Sequence, residues 1–443
     1  MLAKSVKLLL GCWTAALVAG CSTPCDAPGK LCAPISSITS APAPVAPQRL
    51  PERAPEAPPP AAQTYAIDMP GTPGAGAAAG AAAGTAAGND AAAPAAQGAA
   101  TSGAGTRVGL MLPLRSDTLG PPAAALRAGF MAAWERDRDG IAVTVIETGD
   151  VPQDVLASYA AALEQQDIIV GPLARSAVTA IAASALVTKP TIALNHPEGR
   201  GEALLPHRML VIGLSIEDEA RQVAQWAAKE QPGGNAVIVA GAASWQRRIA
   251  NAFAAQWERQ GLPARVVDMT ALNGYLSDGE LVRLRALLQD EPATLLFAAL
   301  DSDQARQLRV ALAAPPLGSL PVYGTSSLNP GRALLVPGPE LDGVRLLDLP
   351  WQLQRDHPAV MVYPQQLGAD GRAASADMER LYALGIDAYR VAREIALRPA
   401  ARFKLDGVTG RLNIGFGQGE SHFEREELPA VYQNGVPVPL STP

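Results

Sequence analysis

Short apolar runs alternate with longer amphipathic stretches over residues 107–443. The apolar runs have no polar residue at every second position, which is typical of strands that are buried on both faces of a parallel sheet. The amphipathic stretches carry apolar residues at helical spacing. In the first round of this alternation, the predicted strands are 108–114, 142–146, 168–170, 191–194 and 209–212, and the predicted helices are 123–136, 153–165 and 175–186.

A second round of the same alternation follows, with predicted strands at 236–239, 264–267, 295–298 and 322–323 and predicted helices at 217–230, 245–260, 280–288 and 302–313. The pattern predicts an α/β fold with two doubly wound parallel-sheet lobes. Lobe 1 is predicted at about 107–213 plus 350–400, and lobe 2 at about 214–349 plus a C-terminal hairpin. Ligands of such sheets bind beyond the carboxyl ends of the strands, which here predicts a cleft between the lobes.

The first 20 residues have a different pattern. Lys4 and Lys7 precede an apolar run at 8–19, and small residues then lead to Cys21. The run is too short to cross a bilayer, which takes about 20 apolar residues, so it predicts an export signal at 1–20 that is removed. The four residues that end at Cys21, Val-Ala-Gly-Cys, resemble the bacterial lipobox, in which the cysteine is acylated. An ordinary secretory signal with a chance cysteine is the alternative.

The lipobox resemblance implies that lipid at Cys21 anchors the mature chain, and Ser22 in the next position implies the periplasmic face of the outer membrane. Residues 21–106 are rich in Pro, Ala and Gly, with Tyr65 as the only aromatic residue. Such a segment cannot bury enough apolar surface to offset its ordering entropy. It is therefore predicted to be a disordered tether, which could reach about 260 Å if it were stretched as polyproline II.

Two cysteines, Cys25 and Cys32, lie within this segment. An export compartment permits disulfides, so we predict a small loop disulfide between them, and a pair of free thiols is the alternative. Structural zinc takes four ligands, and no histidine lies near these two cysteines. A metal site is therefore not predicted here.

The chain is mildly acidic, with 36 basic and 42 acidic residues and a formal net charge of −6. No basic run is present, so the composition argues against nucleic-acid binding. The sequence contains no Gly-x-Ser-x-Gly elbow, no P-loop and no His-Glu-x-x-His motif. Its four histidines are scattered without metal-ligand spacing. These observations predict a protein that is not an enzyme and that takes no cofactor or metal.

Several motifs of the globular region resemble type I periplasmic binding proteins, namely the segments at 108–114, 126–130, 168–173, 192–195 and 214–220. More specific motifs stand at 245–253, 320–326, 341–345, 348–351, 380–390 and 407–410. Together they resemble the penicillin-binding-protein activator lipoproteins, whose C-terminal domain has the periplasmic-binding-protein fold. The resemblance covers nearly all of 107–443.

The resemblance implies regulation by protein–protein contact. Members of that family reach from the outer membrane through the peptidoglycan to a bifunctional synthase and stimulate its cross-linking activity. Longer members carry a helical-repeat domain where this chain has the Pro/Ala/Gly segment, and this departure leaves open whether the chain contacts the same synthase in the same way. The alternative is a solute-binding lipoprotein for amino acids, peptides or cell-wall fragments that serves a transporter or sensor.

Five residues are predicted to face the cleft: Ser116, Thr118, Asn195, Trp245 and Ser326. Ser116 and Thr118 lie between a strand and a helix, where hydroxyls and backbone amides can hold a carboxylate; a turn that enters the helix is the alternative. Asn195 ends a strand, and Trp245 begins a helix after a strand. Trp245 could close over a ligand or simply pack between the lobes. Ser326 ends the 320–326 motif and completes the set.

Overall fold

The computed structural model describes residues 105–137, 139–199, 205–332, 338–366 and 374–440. The predicted export signal, the lipidated Cys21, the cysteine pair Cys25 and Cys32, and nearly all of the Pro/Ala/Gly segment lie outside the described residues. Within them, no helix is long and apolar enough to cross a membrane.

Lobe 1 is built on a five-stranded parallel sheet with the order β2-β1-β3-β4-β5. Its strands are β1 Arg107–Leu112, β2 Ala142–Glu147, β3 Ile168–Val170, β4 Thr191–Ala193 and β5 Met209–Val211. Its first helices are α1 Gly120–Asp137, α2 Pro152–Gln165 and α3 Arg175–Ala182. Apolar clusters cover both faces of the sheet, as the unbroken apolar strands predict.

Lobe 2 is built on a seven-stranded sheet with the order β17-β16-β12-β11-β10-β6-β7. The parallel strands are β6 Ala236–Ala240, β7 Ala264–Asp268, β10 Leu295–Ala299, β11 Val322–Gly324 and β12 Arg345–Asp348, and β8 Ala271–Leu272 and β9 Tyr275–Leu276 form a small hairpin. The helices are α4 Ile216–Glu230, α5 Ser244–Arg259, α6 Asp278–Asp290 and α7 Ser302–Ala311. The predicted doubly wound α/β class is confirmed in both lobes.

The chain returns to lobe 1 through the short helix α8 Pro350–Leu353 and the long helix α9 Ala376–Leu397, which packs along α1. A Cβ atom at Gly385 would lie 2.0 Å from the carbonyl oxygen of Leu126, so only glycine allows this approach. Next to this contact, the rings of Phe130 and Tyr389 meet edge to face with their centroids 5.3 Å apart. The motifs at 126–130 and 380–390 therefore encode one close helix–helix contact.

The C-terminal strands are divided between the lobes. Strands β13 Ala401–Asp406, β14 Arg411–Phe416 and β15 His422–Glu426 form an antiparallel sheet that packs Phe403 and Ile414 into the lobe 1 core. Strands β16 Leu428–Gln433 and β17 Val436–Pro439 add antiparallel to β12 and extend the lobe 2 sheet. Residues 401–426 thus belong to lobe 1, whereas the division drawn from the sequence ended lobe 1 at about 400.

Candidate functional site

Two cavities lie at the carboxyl ends of the strands, and both are lined by Leu381 of α9. One, here called the lobe-1 cavity, has a volume of about 620 Å³ and is lined by residues that include Thr118, Asp150, Arg175 and Asn195. The other, here called the hinge cavity, has a volume of about 610 Å³. Both volumes are in the usual range for small-molecule sites.

The lobe-1 cavity contains two of the predicted residues in its wall, Thr118 and Asn195. The Asn195 side chain is held by its own loop, because its Nδ2 donates to the Leu173 carbonyl at 3.1 Å and its Oδ1 accepts from the His196 amide at 2.9 Å. The third predicted residue of lobe 1, Ser116, is buried beneath this cavity and is not part of its lining.

Ser116 orders the loop between β1 and α1. Its hydroxyl donates to Asp150 Oδ2 at 2.7 Å and accepts from the Leu119 amide at 3.1 Å. These bonds are those of a turn that enters a helix, which is the alternative reading of this loop from the sequence. The Ser116 hydroxyl therefore positions the side chain of Asp150, and Asp150 does line the cavity.

The hinge cavity is lined at all three places where the chain crosses between the lobes, at Leu214, Leu349 and Glu427. The predicted residues Trp245 and Ser326 also line it. Most of its wall is apolar, with Leu214, Ile216, Trp245, Ile249, Leu349 and Leu381. Trp245 packs against the apolar cluster of lobe 2 as well. The structure thus places four of the five predicted residues in the walls of two cavities, leaves Ser116 outside both linings, and does not bring the five together at one point.

A buried ion pair joins the lobes beside the hinge cavity. Arg380 on α9 of lobe 1 contacts Asp348 at the end of β12 of lobe 2, with Nη2 to Oδ2 at 2.8 Å and Nε to Oδ1 at 3.1 Å. Arg380 Nη2 also donates to the carbonyl oxygens of Ser326 and Asn329. Asn329 Nδ2 in turn donates to Asp348 Oδ2 at 2.8 Å. Burial lowers the pKa of Arg380, but the Asp348 carboxylate outweighs it and leaves that pKa raised.

Two carboxyl groups, Glu219 and Glu427, are buried in the wall of the same cavity. Burial and then the neighbouring Glu427 raise the pKa of Glu219 well above its usual value, although the Ser326 amide donates to this carboxyl. The Ser326 hydroxyl donates to Glu219 Oε2 at 3.0 Å. Burial likewise raises the pKa of Glu427 to about 7, against the lowering effect of Arg425.

Sequence reasoning missed the four ionisable residues that define this site: Glu219, Asp348, Arg380 and Glu427. Three of them fall in motifs that carry the family resemblance, at 214–220, 348–351 and 380–390. A helical projection of α9 gives a usable signal, because Arg380 lies on the same apolar face as Ala383 and Leu384. A basic residue on an apolar face predicts a buried partner.

Neither cavity has a histidine or cysteine in its described lining. No group of three or more His, Cys, Asp or Glu residues in the described part of the chain could hold a metal ion. What the arrangement offers chemically is binding: buried carboxyls at one end of an apolar cavity, and a charge network that connects two lobes.

Comparisons with known proteins identify relatives of this chain. Among curated proteins, the penicillin-binding protein activator LpoA of Yersinia pseudotuberculosis is 26% identical over 347 residues, which cover 68% of this chain and 50% of that protein. The protein of the same name from Aliivibrio fischeri is 24% identical and covers 69% of this chain and 54% of that protein. The chain thus spans about half the length of the curated relatives that it matches.

Among solved structures, the LpoA C-domain from Haemophilus influenzae, described as a regulator of PBP1A, has a TM-score of 0.61 at 23% identity over 76% of this chain and 100% of that chain. A Chromobacterium violaceum protein described as a "putative branched-chain amino acid ABC transporter" has a TM-score of 0.60 at 35% identity over 74% of this chain and 100% of that chain. Both share the type I periplasmic-binding-protein-like fold.

The family model described as "LppC putative lipoprotein" matches residues 101–435, which are most of the chain. The match contains lobe 1, lobe 2 except for its edge strand β17, both cavities and all three crossings between the lobes. The chain therefore belongs to the LppC lipoprotein family.

Proposed function

We propose that this chain is a non-catalytic activator that binds a bifunctional penicillin-binding protein and stimulates its cross-linking of peptidoglycan. The observation that carries the proposal is the family match over 101–435, together with curated relatives that are named penicillin-binding protein activators.

In this proposal the anchor is lipid on Cys21 and the anchored site is the periplasmic face of the outer membrane. The Pro/Ala/Gly segment at 21–106 acts as the tether. A relaxed Gly-rich chain of this length averages about 50 Å end to end and can be stretched several-fold further. That reach lets an outer-membrane lipoprotein meet an enzyme of the inner membrane.

The contact with the synthase is made by the two-lobed domain in this proposal. The chain spans about half of the length of its curated relatives, and the matched half corresponds in fold to the C-domain of one such regulator. The ion pair between Arg380 and Asp348 supports a contact of this kind, because it holds two lobes in one arrangement that a partner can recognise.

The test uses the purified full-length chain and each bifunctional synthase of the same organism. We expect an immobilised chain to retain one synthase and the fraction of cross-linked muropeptides to rise when the chain is added. In cells, Cys21→Ser should move the protein from the membrane fraction to the soluble periplasmic fraction. Absence of binding and of any rate change with every synthase contradicts activation, whatever the outcome for Cys21.

Solute binding is the second candidate function. It is favoured by the two cavities and by the 35% identity to the Chromobacterium violaceum protein whose description names an amino acid transporter. It is tested by thermal-shift screening of the full-length chain against amino acids and muropeptides. A tight ligand, found together with an unchanged synthase rate, would favour this function over activation.

A further inference from the structure

The hinge cavity differs from an ordinary cleft because every segment that connects the lobes contributes a residue to its wall. Leu214 lies on the first crossing, Leu349 on the second and Glu427 on the third. A molecule bound here lies in a cavity that is bordered by all three connecting segments. Its chemistry is set by the charged groups in the wall.

Those charged groups are mostly acidic. The acidic residues of the described lining are Glu219, Asp301, Asp377 and Glu427, and its basic residue is Arg380. The Arg380 guanidinium is already bonded to Asp348, to Asp377 at 3.2 Å and to two carbonyl oxygens. An anionic ligand would therefore find the one basic side chain of this lining occupied and four acidic groups around it.

Among these acidic residues, Glu427 has a buried carboxyl oxygen that accepts no hydrogen bond from the described part of the chain. The residue is only 9% exposed, and its Oε2 atom is buried with no hydrogen-bond partner among the described residues. A buried carboxyl oxygen that lacks a donor costs about 1–3 kcal/mol, and native proteins rarely leave one unsatisfied. A donor supplied from the cavity would remove this cost.

We propose that the hinge cavity binds an organic cation, a primary ammonium group on an apolar body. The ammonium bonds to the carboxylate of Glu427, with Glu219 beside it. The apolar body packs against Trp245, Ile249 and Leu349. This binding does not depend on the proposed synthase activation, and either can fail without the other.

Binding of a cation at Glu427 is linked to release of a proton. The carboxyl of Glu427 is surrounded by charged groups from four elements: Asp218 and Glu219 on α4, Asp348 on β12, Arg380 on α9 and Arg425 on β15. Because burial raises the pKa of Glu427, part of this carboxyl is protonated near neutral pH. An ammonium ion favours the charged form, so its affinity should rise as the pH increases from about 6 to 8.

The test measures binding to the purified full-length chain by isothermal titration calorimetry with n-pentylammonium, the neutral 1-pentanol and the anionic pentanoate. We expect saturable binding of n-pentylammonium alone, with net proton release that is detected by comparing buffers of different ionisation enthalpy. Glu427→Gln should weaken it about 10- to 100-fold, which is the effect of a hydrogen bond to a charged group. Glu424→Gln is the matched control, since its side chain is 67% exposed on β15, the strand that ends just before Glu427.

The proposal is overturned if 1-pentanol or pentanoate binds as well as n-pentylammonium, or if none of the three binds. Equal affinity in Glu427→Gln and Glu424→Gln would also overturn it. If Glu427→Gln does not fold, the proton release measured on the unmodified chain decides, because binding without proton release between pH 6 and pH 8 contradicts a role for this carboxyl.

Discussion

The two cavities hold their polar groups in different ways. In the wall of the lobe-1 cavity, Asn195 bonds to a backbone carbonyl, and Ser116 just outside the wall bonds to the exposed Asp150; both partners belong to the same lobe. In the hinge cavity, Arg380 of lobe 1 and Asp348 of lobe 2 form a buried ion pair. The cost of losing one partner is small where water can replace it and large where a charge is left buried. The hinge cavity should therefore be the more sensitive of the two.

The largest effect is expected for Arg380→Met. The substitution leaves the Asp348 carboxylate, which is 0% exposed, without its counter-charge. We expect a loss of about 3–5 kcal/mol in the free energy of unfolding, measured by urea denaturation. Arg411→Met is the matched control, because its ion pair with Glu426 is exposed on both sides and should contribute at most about 1 kcal/mol.

The double variant Arg380→Met with Asp348→Asn sharpens this prediction. If the loss comes from an unpaired buried charge, removing that charge should recover most of it. A double variant that is no more stable than Arg380→Met would assign the loss to the packing of the Arg380 side chain. The comparison of the two cavities would then no longer depend on charge.

The difference between the cavities also explains what the sequence could predict. Strand and helix positions follow from local patterns, so the bounds predicted for α4 and α5 agree with the structure within one or two residues. Thr118 and Asn195 were found because loops after strands meet at one sheet edge. Glu219 and Glu427 were not found, since they are about 200 residues apart in the chain and only the folded chain places both in one wall.

The same limit applies to the C-terminal strands. The strands β13–β15 and the strands β16–β17 both have alternating sequence patterns, and nothing in the local sequence indicates which lobe each group joins. The assignment comes from tertiary contacts: Asp387 of α9 accepts from the amides of Val408 and Thr409 at 3.1 and 2.8 Å and thereby fixes the turn between β13 and β14 against lobe 1. The Asp387 side chain of α9 thus determines which lobe β13 and β14 join, which the sequences of the strands do not indicate.

Ser326→Ala should have the second-largest effect in the hinge cavity. The Ser326 hydroxyl donates to the buried Glu219 carboxyl, and a hydrogen bond to such a group contributes about 2 kcal/mol. Thermal and urea unfolding should both show the loss. A loss as small as that of a serine on the surface would show that water replaces this bond and that the hinge cavity is not the more sensitive of the two.

Glu427→Gln tests the charge state of the hinge cavity through pH. The pKa of this carboxyl is raised in the folded chain from 4.5 to about 7, so its contribution to stability falls as the pH rises through that window. Glutamine does not titrate, so the decrease in stability between pH 5 and pH 8 should become smaller by an amount on the order of 1 kcal/mol. An unchanged pH dependence, with Glu424→Gln as the control, would show that this carboxyl is solvated.

The smallest effect is expected for Ser116→Ala beside the lobe-1 cavity. The substitution removes the bonds from the hydroxyl to Asp150 and from the Leu119 amide, but the Asp150 side chain is exposed and water can replace its donor. We expect a loss of about 0.5–1 kcal/mol in the free energy of unfolding. The ratio of this loss to that of Ser326→Ala compares two serines, each bonded to a carboxyl group that lines one of the two cavities. If the two losses are equal, burial of the Glu219 carboxyl adds nothing to the strength of its hydrogen bond. The two cavities would then differ in where they lie and not in how sensitive they are to substitution.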